Sequence, residues 1–300
     1  MSYWQESGGP VDQTEMTGAR WLKFATHPAA LLVVQFLLFA LLYSMVAFSA
    51  SLAGTIHPAL QPVMALLGAA LGWWLYRGFV QIVERREASE LGLTGAGREL
   101  TIGLGLGFAL FSGMTAVVAV LGGFSVQGLR GVGNLWDMLA VAILSAFYEE
   151  LIFRGVAMRH LEGMIGSIGA LVATSLFFGL AHLANPEGSL FAALAISVEA
   201  GILLGAAWLL TRRLWLAVGI HAAWNFTQGW VFSIPVSGTG PSDGLLVTLR
   251  HGPDWLTGGA FGLEASVVAL IVAAIAGLAL LRLAEKRGQI RRRHQIQTKL

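Results

Sequence analysis

The sequence predicts an all-α integral membrane protein with about eight transmembrane helices. Of its 300 residues, 56% are hydrophobic and only 12% are charged, whereas about a quarter of the residues in soluble domains are charged. The mean hydropathy is +0.70. Runs of about eighteen or more mostly apolar residues recur along the chain, and each is long enough to cross the hydrocarbon of a bilayer as a helix.

Eight apolar runs are the predicted spans. They lie at about 29–53, 59–80, 101–122, 135–157, 166–184, 190–210, 214–233 and 260–283. Together they form one transmembrane domain, residues 29–283, between an N-terminal tail of residues 1–28 and a basic C-terminal tail of residues 284–300. The first run follows a polar segment, so we expect no cleavable signal peptide.

The distribution of Lys and Arg predicts the orientation of the chain. If both termini share one side of the membrane, all 19 Lys and Arg residues except Arg130 and Arg250 belong to that side. Cytoplasmic segments of membrane proteins carry such an excess of positive charge. We therefore expect an even number of spans and a cytoplasmic location for both tails.

Two connections and one tail have a distinctive composition. Residues 81–100 form a charged connector in which Glu84-Arg85-Arg86-Glu87 suits a short surface helix, although we favour the alternative of a solvated linker. Residues 233–259 contain several Gly and Pro and form the longest external loop, which is either a lid or only a connection. Arg291-Arg292-Arg293 in the C-terminal tail is expected to contact anionic lipid headgroups.

The composition also excludes several classes of function. The chain has no Cys, which excludes thiol nucleophiles, disulfides and zinc sites made of Cys. The net charge is only +2, and the basic residues flank the spans, so we expect no nucleic-acid partner. The two halves show no internal repeat, which disfavours a transporter.

One charged stretch interrupts the apolar pattern at the end of the fourth predicted span. It reads Tyr148-Glu149-Glu150-Leu151-Ile152-Phe153-Arg154. Ionised groups inside a bilayer are costly and usually serve a pair, a pathway or a reaction. On a helix, Glu150 and Arg154 share a face and can pair. Glu149 points about 100° away from Glu150 and remains free for another role.

Two further polar pairs lie in the later spans. They are Phe178 with His182 and His221 with Asn225, each four residues apart and therefore on one helical face. A single histidine in a membrane helix is more often a hydrogen-bonding partner between helices than a catalyst. Their combination with the glutamates favours a functional site.

The spacing predicts that these residues meet in one layer. Gly163, Gly166 and Ser167 provide a turn between the fourth and fifth spans, and Glu149 and His182 are equally distant from it. Counted from the basic ends of the helices, Glu149 and Asn225 reach a similar depth. We therefore expect an active site inside the helix bundle, near the middle of the membrane.

A carboxylate, two imidazoles and an amide are suited to the attack of water on an acyl carbon. The carboxylate and one imidazole can take a proton from water, and the other two groups can stabilise the oxyanion. The motifs of zinc, rhomboid-type serine and presenilin-type aspartyl proteases are absent. A zinc site formed by His182, His221 and Glu149 remains a chemical alternative.

At these residues the chain resembles the CPBP family, which comprises type II CAAX prenyl endopeptidases and the bacterial abortive-infection and bacteriocin self-immunity proteins. That family carries Glu-Glu-x-x-x-Arg, Phe-x-x-x-His and His-x-x-x-Asn in this order on successive spans. The resemblance covers residues 80–233, the expected protease core, including Glu90-Leu91-Gly92-Leu93 in the connector.

The resemblance implies a role for each residue of the three motifs. Glu149 would activate water together with His182, and His221 and Asn225 would hold the oxyanion. Glu150 and Arg154 would brace the site. The family has been described as glutamate-dependent and as metal-dependent, so a divalent metal such as zinc stays open as a cofactor.

The resulting hypothesis is an intramembrane endopeptidase, located in the plasma membrane of a bacterium, that cleaves a membrane-embedded or lipidated peptide or protein. The alternative is a non-catalytic membrane scaffold or a transporter with a buried polar site for a ligand or a proton. Glu199, an acid in the sixth predicted span, matches no motif. It either pairs with a polar neighbour or lines the cavity, we favour a structural or neutral role for it, and we do not assign it to the catalytic set.

Overall fold

A computed structural model describes residues 27–292 of the chain. The predicted N-terminal tail lies outside the described residues except for its last two positions. The predicted C-terminal tail is described only as far as residue 292, and its first three residues continue the last helix. Arg293 of the predicted lipid-binding tail therefore also lies outside them.

The described residues contain eight long helices. The first three are α1 (Pro28–Ile56), α2 (Leu60–Val83) and α3 (Ala96–Val120). Helix α4 joins the α-helix Leu135–Glu150 to the π-helix Leu151–Met158 and continues to residue 165, and α5 covers residues 167–184. Helix α6 is Leu190–Thr211, α7 joins Trp215–Phe226 to the π-helix Thr227–Val231, and α8 is Val267–Lys286.

The turn between α4 and α5 lies where the sequence predicts it. Gly166 has φ 81° and ψ 169°, a conformation outside the helical region that glycine adopts without steric cost. Residues on both sides of Gly166 are helical. The chain therefore reverses at this point, and α4 and α5 form an antiparallel hairpin.

By length and composition, six helical segments of the described chain can cross a membrane. Leu135–Ala184 counts as one of them, although Gly166 divides it, and residues 215–231 are not among them. The all-α membrane architecture is thus confirmed. The number of eight spans remains a prediction.

The two ends of the bundle differ in charge. At one end, the backbone N–H of Ser167 donates to the carbonyl of Arg291 at 2.9 Å, which places the end of the described chain beside the α4–α5 turn. The start of α1 reaches the same end, because Gln35 donates to Glu84 after α2. We call this the basic end and the opposite one the loop end.

A two-stranded antiparallel ribbon covers part of the loop end. Strand β1 (Phe124–Leu129) follows α3, and β2 (Leu246–Arg250) lies in the long loop after α7. The sequence analysis did not predict these strands. The long loop after α7 is consequently not an open connection but is tied to the α3–α4 connection by a ladder of hydrogen bonds.

The charged connector after α2 differs from its prediction. The alternative surface helix at 84–87 is not formed, and the only helical turn there is Ser89–Leu91. Glu84 accepts from Arg159 of α4 at 2.7 and 2.8 Å, and Glu90 accepts from Arg86 at 2.7 and 3.0 Å. The prediction of a solvated linker was wrong for these two carboxylates, because Glu84 pairs with Arg159 of α4 and Glu90 pairs with Arg86 of the connector itself.

The contacts of Glu84 determine the pKa of its carboxyl group. Burial alone would raise its pKa, but the positive charge of Arg159 and the hydrogen bonds from Arg159, Arg86 and Gln35 lower the pKa to about 2. Glu84 therefore stays ionised at neutral pH and ties the connector to α1 and α4.

Two glycines of α2 let neighbouring helices approach it closely. A Cβ on Gly68 would lie 2.0 Å from Val46 of α1, and one on Gly72 would lie 2.9 Å from the Tyr148 hydroxyl. Tyr148 in turn donates to the carbonyl of Gly68 at 2.6 Å. The absence of side chains on α2 lets α1 and α4 approach closely, and this packing fixes the part of α4 that carries Glu149.

Candidate active site

A cavity of about 360 Å³ lies inside the bundle and extends toward the loop end. It is enclosed by α1, α4, α5, α6 and α7, and by parts of the loop before α8. Four of the six predicted site residues line it, together with two other acids and a tyrosine: Glu149, His182, His221, Asn225, Glu199, Glu264 and Tyr43. The predicted convergence of three motifs is therefore observed.

Glu149 and Glu150 face different surroundings, as the 100° helical step predicts. Glu150 is fully buried, and its Oε1 accepts from Arg154 Nη1 at 2.8 Å and from His221 Nδ1 at 2.9 Å. Glu149 keeps 20% of its side chain exposed and lines the cavity. Glu150 therefore connects residues within the wall, whereas Glu149 is open to a substrate.

Arg154 is held by groups from three helices. Besides Glu150, its guanidinium donates to the carbonyls of Ala200 and Gly201 on α6, at 2.5 and 3.3 Å. Its Cζ also lies 5.0 Å from the centre of the Phe178 ring on α5. The predicted bracing pair of Glu150 and Arg154 is thus present and also ties α4 to α5 and α6.

Helical geometry is irregular at the site. The π-helix of α4 begins directly after Glu150, a second one in α6, Ser197–Leu204, contains Glu199, and a third in α7 follows Asn225. Short π-helical segments occur frequently at functional sites because they shift side chains relative to a regular helix. Here three of the helices around the cavity carry one.

His221 lies between the two adjacent glutamates. Its Nδ1 donates to Glu150, because a carboxylate oxygen can only accept. Its Nε2 lies 3.9 Å from Glu149 Oε2. The ring is therefore oriented by a buried carboxylate on one side and presents its second nitrogen to the catalytic candidate on the other.

His182 is oriented by its own helix. Its Nδ1 donates to the carbonyl of Phe178 at 2.7 Å, so the neutral ring carries its lone pair on Nε2. The ring lines the same cavity as Glu149 but makes neither a hydrogen bond nor an ion pair with it among the contacts of the described residues. The imidazole within ion-pair distance of Glu149 is His221.

Asn225 contributes an amide to the wall of the cavity. Its Nδ2 donates to the hydroxyl of Ser145 on α4 at 2.9 Å, and that hydroxyl donates to the carbonyl of Val141. The orientation of the amide is thereby fixed. One N–H of Nδ2 remains for another acceptor, because a primary amide has two.

Two residues of the cavity were missed from the sequence. The hydroxyl of Tyr43 on α1 donates to Glu149 Oε1 at 3.5 Å, and its ring stacks on Tyr148 at 5.4 Å. Tyr43 lies in an uninterrupted apolar run outside residues 80–233, so no local signal marked it. Glu264 did offer one, as an acid inside the predicted span 260–283; the structure starts α8 at Val267 and leaves Glu264 outside the span.

Glu264 anchors the loop that covers the cavity. Its carboxylate accepts from the backbone N–H of Ser237 at 2.7 Å and from the Ser237 hydroxyl at 3.2 Å. Asn185, at the end of α5, donates to the Ser237 carbonyl at 2.6 Å. Burial raises the pKa of Glu264, and the Ser237 contacts oppose this change. The sequence analysis left two interpretations of the 233–259 loop, a lid or only a connection. The first part of this loop covers the cavity.

The arrangement does not fit the suggested zinc site. Among residues 27–292, no three His, Asp or Glu side chains are grouped so that they could hold a metal ion. The Nδ1 atoms of His182 and His221 are engaged by a backbone carbonyl and by Glu150, so only Nε2 of each ring could bind a metal. A catalytic zinc needs three protein ligands around one point, and the described side chains are not grouped in that way.

Comparison with known proteins supports the relationship that the motifs suggest. Residues 131–227, about a third of the chain, match the family model described as type II CAAX prenyl endopeptidase Rce1-like. The match includes every residue of the three motifs and confirms the resemblance to the CPBP family. No match was found among curated proteins or among solved structures.

Proposed function

We propose that the chain is an endopeptidase that hydrolyses a peptide bond of a membrane-associated or lipidated peptide, in keeping with the match of residues 131–227 to the type II CAAX prenyl endopeptidase Rce1-like model. The observation that carries this proposal is the pair of Glu149 Oε2 and His221 Nε2. They are 3.9 Å apart at the wall of the cavity, so one water molecule about 2.8 Å from each could contact both.

In the proposed reaction, Glu149 is the general base. Its carboxylate takes a proton from water as the water oxygen bonds to the carbonyl carbon of the substrate. Tyr43 donates to the other oxygen of Glu149 and orients it. His182 shares the proton transfer, because its Nε2 carries a lone pair while Nδ1 is occupied by Phe178. The transferred proton then passes to the leaving nitrogen as the C–N bond breaks.

His221 and Asn225 are proposed to stabilise the oxyanion. His221 can donate from Nε2 only when that nitrogen is protonated, and Glu150 at Nδ1 stabilises the resulting imidazolium. Asn225 has a second amide N–H beyond the one given to Ser145. Donors fixed in advance in an enclosed site are effective because they need no reorganisation during the reaction.

The expected substrate follows from the location of the cavity. Long apolar helices surround it, and large apolar side chains on their outer faces are exposed, as on a lipid-facing surface. A peptide attached to the membrane by a lipid or by its own apolar segment is therefore concentrated where it can enter. We expect an acylated or prenylated peptide to be cleaved faster than the same peptide without the lipid.

The direct test is a peptidase assay with the purified protein. A panel of lipidated and plain membrane peptides is incubated with and without a chelator, and the products are identified by mass spectrometry. We expect cleavage that persists in the chelator. Activity that is lost in the chelator and restored by zinc would contradict glutamate-based hydrolysis, and transport into liposomes without cleavage would contradict an endopeptidase.

We also propose that the basic end faces the cytoplasm, because cytoplasmic segments carry the excess of Lys and Arg. The absence of Cys from the chain allows a clean test. Single Cys residues are introduced at Arg287 and at Ser242 and labelled in intact cells with an impermeant maleimide. Labelling is expected at position 242 alone, and labelling at position 287 alone would reverse the orientation.

A further inference from the structure

The charges that line the cavity are one-sided. Among the described residues, three carboxyl side chains line it, Glu149, Glu199 and Glu264, and neither Lys nor Arg does. Arg154 is close by, but its donors point to Glu150 and to two backbone carbonyls in the wall. A cavity with this lining attracts positive charge and repels negative charge.

Glu199 is the least satisfied of these acids. It is 2% exposed, and neither of its carboxyl oxygens has a hydrogen-bonding partner in the part of the chain that the structure describes. A buried polar group without a partner is destabilising, and native proteins contain few of them. Glu199 lines the cavity, so its unused oxygens are available to whatever enters there.

Glu264 adds a second acid to the same part of the cavity. It is 3% exposed, lies within electrostatic reach of Glu199, and also lines the cavity. Its contacts with Ser237 place it under the cover at the loop end. Glu199 and Glu264 therefore form an acidic patch that is separate from the contacts of Glu149 with Tyr43 and His221.

We propose that Glu199, supported by Glu264, is a subsite for a cationic group of the substrate, the ammonium or guanidinium of a basic residue near the cleaved bond. A metal ion fits less well, because the described residues provide no group of three ligands. An organic cation requires only one or two carboxylates and gains strong, charge-assisted hydrogen bonds from them. The assignment builds on the proposed endopeptidase function and adds the class of residue that it selects.

The test measures binding rather than cleavage. Acylated fluorescent peptides are prepared in which one lysine occupies each position in turn, and each is paired with a peptide that has norleucine there. Dissociation constants are measured by fluorescence anisotropy on the purified Glu149→Gln protein, which prevents turnover. In at least one position, the lysine peptide is expected to bind about tenfold more tightly or better.

Substitutions then assign that preference to the acidic patch. Glu199→Gln is expected to reduce the lysine preference to about threefold or less, and Glu264→Gln to reduce it by a smaller factor. Asp243→Asn removes an acid that is 74% exposed at the loop end and should leave the preference unchanged. If the Glu199 variant does not fold, the Glu264 variant carries the test, with size-exclusion profiles as the folding control.

Two results would overturn the subsite. One is an equal affinity for lysine and norleucine peptides at every position, or a preference that both Gln variants retain. The other is direct binding of Ca²⁺ or Zn²⁺ that is lost in Glu199→Gln, since the acids would then hold a metal. Binding of lysine peptides without any cleavage by the wild-type protein would contradict the endopeptidase function alone.

Discussion

The acids at the basic end and those in the cavity lie largely inside the bundle but have different surroundings. Glu84 and Glu90 have 6% and 5% of their side chains exposed, and arginines contact both. In the cavity, Glu199 is 2% exposed, and its carboxyl oxygens have no hydrogen-bonding partner among residues 27–292. Glu149 has only a tyrosine at 3.5 Å and an imidazole at 3.9 Å.

This difference separates acids that hold the fold together from acids that are available for chemistry. A carboxylate paired with arginine is neutralised and positioned, and its removal leaves a buried positive charge behind. A carboxylate without such a partner keeps its ability to accept a proton or to bind a cation. The comparison predicts that substitutions of acids at the basic end lower stability, whereas substitutions of acids in the cavity lower turnover.

The largest expected effect is on turnover and comes from Glu149→Gln. This change keeps the shape of the side chain and removes the base, so kcat should fall by about 100-fold to 10,000-fold. The melting temperature in detergent should change little, because no arginine pairs with Glu149. The measurement is the rate of peptide cleavage at equal amounts of folded protein.

Glu84→Gln is the matched control at the basic end. It is expected to lower the melting temperature, because Arg159 and Arg86 lose a negatively charged partner and one of its two acceptor oxygens. The folded fraction should cleave within about threefold of the wild-type rate, since Glu84 does not line the cavity. A Glu84→Gln protein with normal stability and no cleavage activity would contradict the proposed difference between the basic end and the cavity.

Arg154→Met is expected to have the second largest effect, this time on stability. It removes the arginine that pairs with the fully buried Glu150 and leaves a carboxylate without this cation, at a cost of about 3–5 kcal/mol. Adding Glu150→Gln should recover part of the loss because the uncompensated charge disappears. Thermal unfolding of Arg154→Met and of the double variant measures the loss of stability and its recovery. A double variant less stable than Arg154→Met alone would contradict this explanation.

The smallest expected effect is the pH dependence of the Glu84 contribution. Its pKa is lowered from 4.5 to about 2 in the folded protein, so its stabilising effect is complete above the unfolded value and is lost as the pH falls toward 2. The difference in melting temperature between wild type and Glu84→Gln should be constant from pH 8 to about 5 and should shrink below about 4.5. A difference that grows on acidification would contradict the pairing with arginine.

Much of the fold was predictable because the bilayer imposes simple rules. Apolar runs gave the positions of the helices, and Gly166 gave the α4–α5 turn. The pairing of Glu150 with Arg154 followed from helical spacing. The β ribbon and the buried state of Glu84 were missed, because both depend on partners far along the chain, at Leu246–Arg250 and at Arg159.

The candidate site also contains some features that the sequence predicted and others that it did not. Short motifs within α4, α5 and α7 identified Glu149, His182, His221 and Asn225 as neighbours of one cavity. Tyr43 could not be found, since an aromatic residue in an apolar helix has no local signal of a function. The partner of each histidine also required coordinates, because the direction of Nδ1 depends on rotamers and on residues distant in sequence.

Isotope labelling in a single turnover tests the role of Glu149 most directly. Purified protein in excess cleaves a lipidated peptide in ¹⁸O-labelled water, and mass spectrometry locates the label. A general base predicts one ¹⁸O atom in the new carboxyl terminus of the product and none in the protein fragment that contains Glu149. Label in Glu149 itself would show that it attacks the substrate as a nucleophile and would contradict the account.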